Sequence, residues 1–275
     1  SGESGAVAAV REVAEETGVN VVLGVPLPGL KYRLDGSLKR VHFWSARILK
    51  PVEEPLLGIR GPVNAAKSNE IDDVAWVEAS KVVDRLSYES DLGPLDALLA
   101  LHAAHRLDTR SIIFVRHTRA RKRSAWRGSE ATRPLTPTGV RQADNLVPML
   151  AAFGVRSVVS SPWLRCTATV APYARALDVP ITPAPQLTEA AFAKNPQAAI
   201  TRVRKVFAAG RSTVVSVHRP VVPAVLSAAE EFTKLSTLGA LPEENPYLRT
   251  GELLDRTREQ AREMARQTEA LQRSE

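Results

Sequence analysis

The second half of the chain alternates short apolar runs with longer segments of helical periodicity, and this alternation constrains the fold more than any other feature. Short apolar runs bounded by turn residues are typical of buried strands, and longer amphipathic segments are typical of the helices that cover them. Strands connected through helices in this way form a parallel α/β sheet. The predicted strands cover residues 111–115, 157–160 and 212–217, and the predicted helices cover residues 138–152, 164–177, 200–209 and 221–232.

The first half has a different pattern, which predicts a mixed α/β unit. Residues 5–17 place apolar side chains at helical spacing, and Gly18 follows where glycine commonly ends a helix. A further helix is predicted over residues 92–104, and a charged, helix-prone tail over residues 251–274. Strand-like runs cover residues 19–25, 40–49 and 74–77, with predicted turns at residues 26–29 and 35–36.

The length and the change of pattern predict two domains. At roughly 100–200 residues per domain, 275 residues are enough for two. A short polar segment separates the halves. We therefore expect one domain over residues 1–105, a linker over residues 106–110, and a second domain over residues 111–275 that includes the charged tail.

Charge and cysteine content narrow the class of protein. The formal net charge of +7 attracts polyanions in general and does not choose among nucleotides, polyphosphates and nucleic acid. Cys166 is the single cysteine, so no disulfide can form within the chain, which fits a reducing cytosol. No apolar run approaches the roughly 20 residues that span a bilayer, and no basic-then-apolar leader opens the chain. We expect a cytoplasmic protein without a membrane segment.

Three glutamates share one face of the first predicted helix. Glu12, Glu15 and Glu16 have i, i+3 and i+4 spacing, whereas Val10 and Val13 point toward a core. Like charges at this spacing repel each other, and a hard divalent cation turns that repulsion into ligation. The alternative is a solvated acidic stripe, which is common on surface helices.

The same segment resembles the Nudix box, a long motif of the form G-x5-E-x7-R-E-U-x-E-E-x-G-U in which U is aliphatic. Residues 11–19 read R-E-V-A-E-E-T-G-V, and Glu3 precedes Arg11 by the required seven residues. The opening glycine of the motif would precede Ser1, as would strands that support the box helix in this family. We interpret the domain either as preceded by residues outside this sequence, which we favour, or as truncated. For a protein that begins at Ser1, we expect a poorly folded first domain, because apolar positions of the helix such as Val10 and Val13 lose packing partners.

The Nudix resemblance implies a magnesium enzyme that cleaves phosphoanhydrides, with Mn²⁺ as an alternative ion. Glu12 would also be the base that activates water, and Arg11 would orient it through a charge-assisted hydrogen bond. Glu70, in a segment that reads equally well as a polar turn before a strand, is our choice for the acid that often arrives from a later loop. The implied metal ligands, strongest first, are Glu12, Glu15, Glu16, Glu3 and Glu70.

Reactive side chains follow three predicted parallel strands. Arg116 and His117 come directly after residues 111–115, Arg165 begins the helix after the second strand, and His218 follows the third. Open α/β sheets bind ligands at the carboxyl ends of their strands, and a helix start favours anions. A neutral imidazole can attack phosphorus, and arginines match phosphate oxygens. One histidine alone would more often be structural, but together the four predict a pocket for a phosphoryl group.

Residues 116–118 read R-H-T and resemble the R-H-G signature of the histidine phosphatase superfamily, with a likeness that extends over about residues 111–226. Thr118 stands where the family usually has glycine. The stretch over residues 126–139 resembles the small phosphohistidine phosphatase branch, which removes phosphate from proteins. The resemblance implies a phosphoglycerate-mutase-like α/β domain and keeps a protein substrate open.

The superfamily resemblance also implies roles for single residues. His117 matches the nucleophile, and Glu189 matches the proton donor less surely, because that residue varies in position. We expect the surrounding positive field to lower the pKa of His117 and keep its ring neutral. Cys166 lacks a base of its own and is interpreted as a packing residue. The implied phosphate-binding residues are Arg116, Arg165 and His218.

A basic run lies near the predicted pocket and has three interpretations: a solvated loop, a polyphosphate clamp or a nucleic-acid patch. The last is the least favoured, because basic runs without interleaved aromatic residues seldom bind nucleic acid specifically. The run comprises Arg119, Arg121, Lys122, Arg123 and Arg127.

The order of the two units resembles the actinobacterial MutT-like two-domain proteins, which sanitise the nucleotide pool and so belong with DNA repair. This implies magnesium-dependent cleavage of oxidised nucleoside triphosphates such as 8-oxo-dGTP, dinucleoside polyphosphates as a further substrate class, and trimming of the product by the phosphatase. The implied partner is a nucleoside polyphosphate, not a membrane or a nucleic acid, and self-association is left open. The alternatives are a phosphohistidine protein phosphatase with a Nudix-derived nucleotide-binding module, and a non-catalytic nucleotide sensor. Magnesium dependence separates them.

Overall fold

The computed structural model describes residues 3–66, 70–231 and 253–255 of the chain. None of the described helices combines the length and apolarity that a bilayer-spanning helix requires. The helices are α1 (Gly5–Thr17), α2 (Pro55–Arg60), α3 (Leu92–Ala103), α4 (Pro137–Ala152), α5 (Leu164–Ala176), α6 (Glu189–Lys194), α7 (Pro196–Ala208) and α8 (Val222–Glu231). The strands are β1 (Val21–Leu34), β2 (Ser37–Ile48), β3 (Ile112–Arg116), β4 (Ser157–Ser160), β5 (Ile181–Pro183), β6 (Thr213–Val217) and β7 (Leu253–Asp255).

The second half forms a five-stranded sheet in the order β5-β4-β6-β3-β7. The first four of these strands pair in parallel, and β7 pairs antiparallel to β3. Ile113, Val115 and Val214 in the central strands are fully buried, as strands covered by helices on both faces require. The predicted parallel α/β sheet is confirmed.

Helix α1 has the bounds that the sequence predicted. Ser4 caps its start by accepting a hydrogen bond from the N–H of Val7 at 3.4 Å, and Gly18 ends it with a φ of 69°. Val10 is buried, and Val13 packs against the same core. The expectation that this apolar face lacks partners was wrong, because α4 and its neighbours cover it.

One apolar core joins the two halves of the chain. Val10 and Leu56 from the first half pack in the same cluster as Leu150 from the second. At the end of α2, the Arg60 guanidinium donates to the carbonyl oxygens of Val21 at 2.6 Å and Ala151 at 2.8 Å. The halves therefore contact each other directly, through apolar packing and through a half-buried arginine that bridges two backbones.

Strands β1 and β2 form an antiparallel hairpin closed by the predicted turn, where Asp35 and Gly36 both have positive φ. The predicted turn at residues 26–29 is wrong. Those residues remain in β1, which continues past them with two register shifts. Proline has no N–H for the ladder, and a local irregularity accommodates it without ending the strand.

Two further predictions were wrong. Residues 74–77 form no strand, and Trp76 is 81% exposed. No described strand pairs with that segment, and an apolar run without a partner strand is not stabilised as one. In the predicted helical tail, Leu253–Asp255 instead pairs with β3, because an open sheet edge outweighs local helix propensity. The remainder of the predicted tail lies outside the described residues.

Candidate active site

The carboxyl ends of β3, β4 and β6 meet at one edge of the sheet, and polar side chains follow each of them. His117 comes after β3, Ser161 after β4 and His218 after β6. The His117 N–H donates to the carbonyl of Val217 at 3.0 Å, which extends the ladder by one residue. The His117 and His218 rings lie edge to face with centroids 5.5 Å apart. The sheet register therefore brings the two predicted histidines together.

His117 is held so that one ring nitrogen is available as a nucleophile. Its Nδ1 lies 2.8 Å from the carbonyl oxygen of Thr118, which can only accept, so Nδ1 carries the proton and Nε2 keeps a lone pair. Arg165 Nε donates to that Nε2 at 3.3 Å. The pKa of His117 falls from 6.5 to about 3, chiefly through burial and further through the charges of Arg165 and Arg116. The predicted direction is confirmed, with burial as the largest cause.

Arg165 lies at the start of α5 and is fully buried. Besides contacting His117, its Nη1 donates to the carbonyl oxygen of Glu130 at 2.7 Å and its Nη2 donates to Glu189 Oε1 at 2.6 Å. The guanidinium also stacks over the Trp163 ring, 4.7 Å from its centroid. An anion that enters the pocket must therefore compete with the Glu189 carboxylate for this arginine.

Glu189 begins α6 and joins the remaining groups of the pocket. Its Oε1 lies 3.5 Å from Nδ1 of the fully buried His218, and its Oε2 accepts a hydrogen bond from Arg123 at 3.0 Å. On its other side, His218 Nε2 lies 2.8 Å from Ser161 Oγ. The pKa of His218 is lowered from 6.5 to about 2, first by burial and then by the charge of Arg165. Both rings are therefore neutral near pH 7.

The threonine that replaces the usual glycine is accommodated by α5. Thr118 is fully buried, its N–H donates to Thr169 Oγ1 at 3.0 Å, and its hydroxyl lies 3.2 Å from the same oxygen. The side chain is thus held against the helix by a hydroxyl partner.

Cys166, also buried, has its Sγ 3.4 Å from His218 Nε2, and burial raises its thiol pKa to about 12. A neutral thiol fits the packing role expected for Cys166.

Sequence reasoning missed two residues of this pocket, Arg133 and Glu130. The charge of Arg133 contributes to the lowered pKa of both His117 and His218. The Glu130 carboxylate forms ion pairs with Arg133 at 3.1 Å, Arg165 at 3.5 Å and Arg123 at 3.0 Å. Residues 133–136, which read R-P-L-T, belong to the stretch that resembles the phosphohistidine phosphatase branch, and this could have pointed to Arg133. No such signal exists for Glu130, which reaches the pocket only through the path of its loop.

In the first half, the Arg11 guanidinium contacts three of the five predicted metal ligands. It forms a two-pronged contact with Glu3, with both N···O distances 3.0 Å. It also contacts Glu15 at 2.5 Å and Glu12 at 3.4 Å. The hydrogen bond with Glu3 is the largest cause that raises the pKa of Arg11. Arg11 thus contacts Glu12, as predicted, and holds Glu3 and Glu15 beside it.

Models of two known protein families match separate parts of the chain. The model of the NUDIX domain matches residues 1–98, and the model of the histidine phosphatase superfamily (branch 1) matches residues 112–229. The chain combines a Nudix domain with a histidine phosphatase domain. Both parts of the predicted fold class are thereby confirmed.

The two-domain chain is similar to a curated protein of Mycolicibacterium smegmatis named 8-oxo-(d)GTP phosphatase, with 32% identity over 225 residues. The match covers 82% of this chain and 65% of that protein's length. Among solved structures, the protein histidine phosphatase SixA complexed with tungstate covers 53% of this chain and 86% of its own at 21% identity and a TM-score of 0.40. A mycobacterial glucosyl-3-phosphoglycerate phosphatase covers 53% of this chain and 89% of its own at 14% identity and a TM-score of 0.38.

Only some of the predicted metal ligands of the Nudix domain lie beside Arg11. Glu3, Glu12 and Glu15 share the Arg11 guanidinium, whereas Glu16 and Glu70 are exposed and have no ion pair with Arg11 in the described part of the chain. Within residues 3–66, 70–231 and 253–255, no three acidic, histidine or cysteine side chains are close enough together to hold a metal ion. The carboxylate oxygens on α1 are nevertheless the donors that Mg²⁺ prefers.

Proposed function

We propose that the protein is a hydrolase of nucleoside polyphosphates in which two domains cleave phosphate bonds by different chemistry. The observation that carries the proposal is His117 Nε2, a neutral, buried lone pair within 3.3 Å of the Arg165 guanidinium. The two family matches and the relative named 8-oxo-(d)GTP phosphatase support a nucleotide as substrate. We propose oxidised nucleoside triphosphates such as 8-oxo-dGTP as the first substrate class, dinucleoside polyphosphates as a second, and a cytoplasmic location.

The phosphatase pocket supports transfer in two steps through the histidine. A phosphate entering beside Arg116 and His218 takes the Arg165 donor that Glu189 now holds. Released from Arg165, the Glu189 carboxylate takes the proton of the incoming phosphate monoanion. His117 Nε2 then forms a bond to phosphorus while the bond to the leaving oxygen breaks, and Glu189 passes that proton to the leaving oxygen. Water next attacks the phosphohistidine and gives its proton to Glu189, which releases phosphate and restores the free ring.

In the Nudix domain, Glu12, Glu15 and Glu16 would hold Mg²⁺, with Glu3 as a further ligand. The bound ion would neutralise phosphate charge and make its water more acidic. Arg11 keeps the carboxylates on one side of α1 and limits their mutual repulsion. We propose Glu12 as the base, because its side chain is the most exposed of the three that Arg11 contacts.

Product analysis on a nucleotide panel, with Mg²⁺ and with a chelator, tests the proposal. We expect cleavage of 8-oxo-dGTP to require Mg²⁺ and to be abolished by Glu15→Gln or Glu16→Gln, because each removes an anionic ligand. Phosphate release from a simple monoester should need no metal and should survive both substitutions. Loss of both activities in either variant would contradict the two-site proposal. Metal-independent release of phosphate from phosphohistidine alone would favour the protein phosphatase alternative.

A further inference from the structure

The entrance to the phosphatase pocket contains an arginine that the two-step reaction does not use. Arg123 is 65% exposed and contacts both carboxylates of the pocket. Its Nε donates to Glu130 Oε1 at 3.0 Å, and its Nη2 donates to Glu189 Oε2 at 3.0 Å. Arg165, at the bottom of the pocket, contacts the same two residues from the inside. Two carboxylates thus separate a buried arginine from an exposed one.

With Glu189 as the proposed proton donor, Arg123 lies on the leaving-group side of the pocket. His117 Nε2 and Arg165 lie on the inner side of Glu189, and Arg123 lies on its outer side. A leaving group departs opposite the attacking nitrogen, and the proton donor must reach the leaving oxygen. A cation bonded to that donor is therefore next to whatever the leaving oxygen is attached to.

The loop around Arg123 is fixed to the rest of the domain. Ala120 pairs with Leu135 in an isolated bridge, and Arg133 donates to the carbonyl oxygen of Arg121 at 2.6 Å. Arg123 itself begins a short 3-10 helix. The position of its guanidinium thus follows from backbone contacts as well as from its two ion pairs.

We propose that Arg123 is a specificity-determining residue that binds an anionic leaving group, so that the pocket acts on the terminal phosphate of a phosphoanhydride such as a nucleoside diphosphate. This inference rests on the proposed phosphatase function. As the N–P bond to His117 forms, the P–O bond to the second phosphate breaks and its electron pair stays on the leaving oxygen. A leaving phosphate is stable as an anion and is stabilised by the Arg123 charge, whereas an alcohol leaving group requires the Glu189 proton.

Two nucleotides that differ by one phosphate test this assignment. GMP has an alcohol leaving group and GDP has a phosphate one, and phosphate release from each is measured with a chelator present. We expect Arg123→Gln to lower the GDP/GMP ratio of kcat/KM by about tenfold, less than the loss of a buried transition-state donor because Arg123 is exposed. Arg123→Lys should retain part of the ratio, because it keeps the charge without the planar fork. Glu189→Gln should raise the ratio, because only the GMP reaction needs its proton.

The matched control is Arg127→Gln, which removes one exposed positive charge from the same loop and should leave the ratio within about threefold of wild type. An unchanged ratio in Arg123→Gln, or an equal fall in Arg127→Gln, would overturn the assignment. If wild type releases phosphate from neither nucleotide, the proposed phosphatase function fails. Calorimetric binding of pyrophosphate and phosphate in chelator then decides the inference separately. A preference for pyrophosphate that Arg123→Gln abolishes would support it, and a preference that the variant keeps would refute it.

Discussion

The chemistry of His117 follows from two neighbours that fix its proton and its charge. The Thr118 carbonyl holds the proton on Nδ1, and burial beside Arg165 keeps the ring neutral. An exposed histidine with a pKa near 6.5 would be partly protonated at neutral pH and would have either tautomer. In the proposed reaction, these surroundings make His117 a nucleophile with a defined reacting atom, Nε2. The pKa of His218 is also low, but its Nε2 lies 2.8 Å from Ser161 Oγ, and we propose that His218 binds phosphate.

The first prediction at this scale concerns the reacting atom. His117→Ala should eliminate phosphate release, because it removes the nitrogen that bonds to phosphorus. His218→Ala should lower the rate on the order of 10²–10³, the effect of one lost charge-stabilising donor. A rapid quench in alkaline denaturant, followed by peptide mapping at alkaline pH, should place an acid-labile phosphoryl group on His117. Cys166→Ala is the control and should keep the phosphoenzyme; a phosphoryl group mapped to Cys166 would end this assignment.

Burial of two neutral histidines also predicts how stability depends on pH. The folded-state pKa values of about 3 and about 2 lie below the unfolded value of 6.5, so the unfolded chain binds more protons below pH 6.5. The free energy of unfolding should therefore fall as the pH drops through that value, by about 2 kcal/mol per histidine at about pH 5. Urea unfolding is measured at neutral pH and at about pH 5. Between these two pH values, the free energy of unfolding should fall less in His117→Gln than in wild type. Exposed His102→Gln should match wild type, and an identical fall in all three proteins would contradict the prediction.

Among the structural elements, α4 determines where the residues after His117 lie. The N–H of its capping residue, Thr136, donates to the carbonyl oxygen of Arg119 at 2.9 Å, and the Thr136 hydroxyl donates to the same oxygen at 3.1 Å. Gly139, in the first turn, passes so close to that carbonyl that a Cβ atom would lie 2.0 Å from the oxygen. The helix and the loop that follows His117 thus touch backbone to backbone at a position where only glycine fits.

The prediction for α4 is that Gly139→Ala moves the helix start away from the loop. We expect a loss of roughly 1–3 kcal/mol in unfolding free energy, typical of overpacking, and a clear fall in phosphatase kcat/KM. Gly58→Ala in α2 is the matched control, because its Cβ would meet nothing within 4 Å. That substitution should stabilise the protein by roughly 0.5–1 kcal/mol through helix propensity. Thermal melts and phosphatase kinetics on both variants test this prediction. Equal changes in stability and kcat/KM in the two variants would show that the close contact between Gly139 and the Arg119 carbonyl has no special role.

How far the sequence predicts these elements depends on their length and pairing. The bounds of α1 follow from its helical periodicity, because a long helix contributes several residues to each face. The bounds of β3 follow from a continuous apolar run. The short α2 and β5 were missed, since one turn or three residues show no period. The His117–Arg165–His218 group was predictable because parallel strands end at one edge. The contacts of Glu130 and Arg123 could not be predicted, because they depend on the path of a loop and a loop has no repeating sequence pattern.

At the scale of the whole molecule, the two halves share one core. Leu56 of α2 is fully buried and packs in the cluster that contains Phe153 and Val155 of the phosphatase domain. Gly154 between them lies so close to Val22 of β1 that a Cβ atom would come within 2.7 Å of a valine methyl group. Contacts of this kind transmit a loss of packing from one domain to the other. The Nudix half therefore contributes to the stability of the phosphatase half through this shared core.

The last prediction follows from this shared core. Leu56→Ala leaves a cavity at the contact between the halves and should lower the unfolding free energy by roughly 2–5 kcal/mol. Because the cavity borders α4 and its neighbours, thermal inactivation of metal-independent phosphatase activity should shift together with the overall melting transition. Val52→Ala, at a position 58% exposed in the same segment, should change stability by less than about 0.5 kcal/mol. Two separate transitions, with phosphatase inactivation unmoved by Leu56→Ala, would show that each domain is stable without the packing of the other.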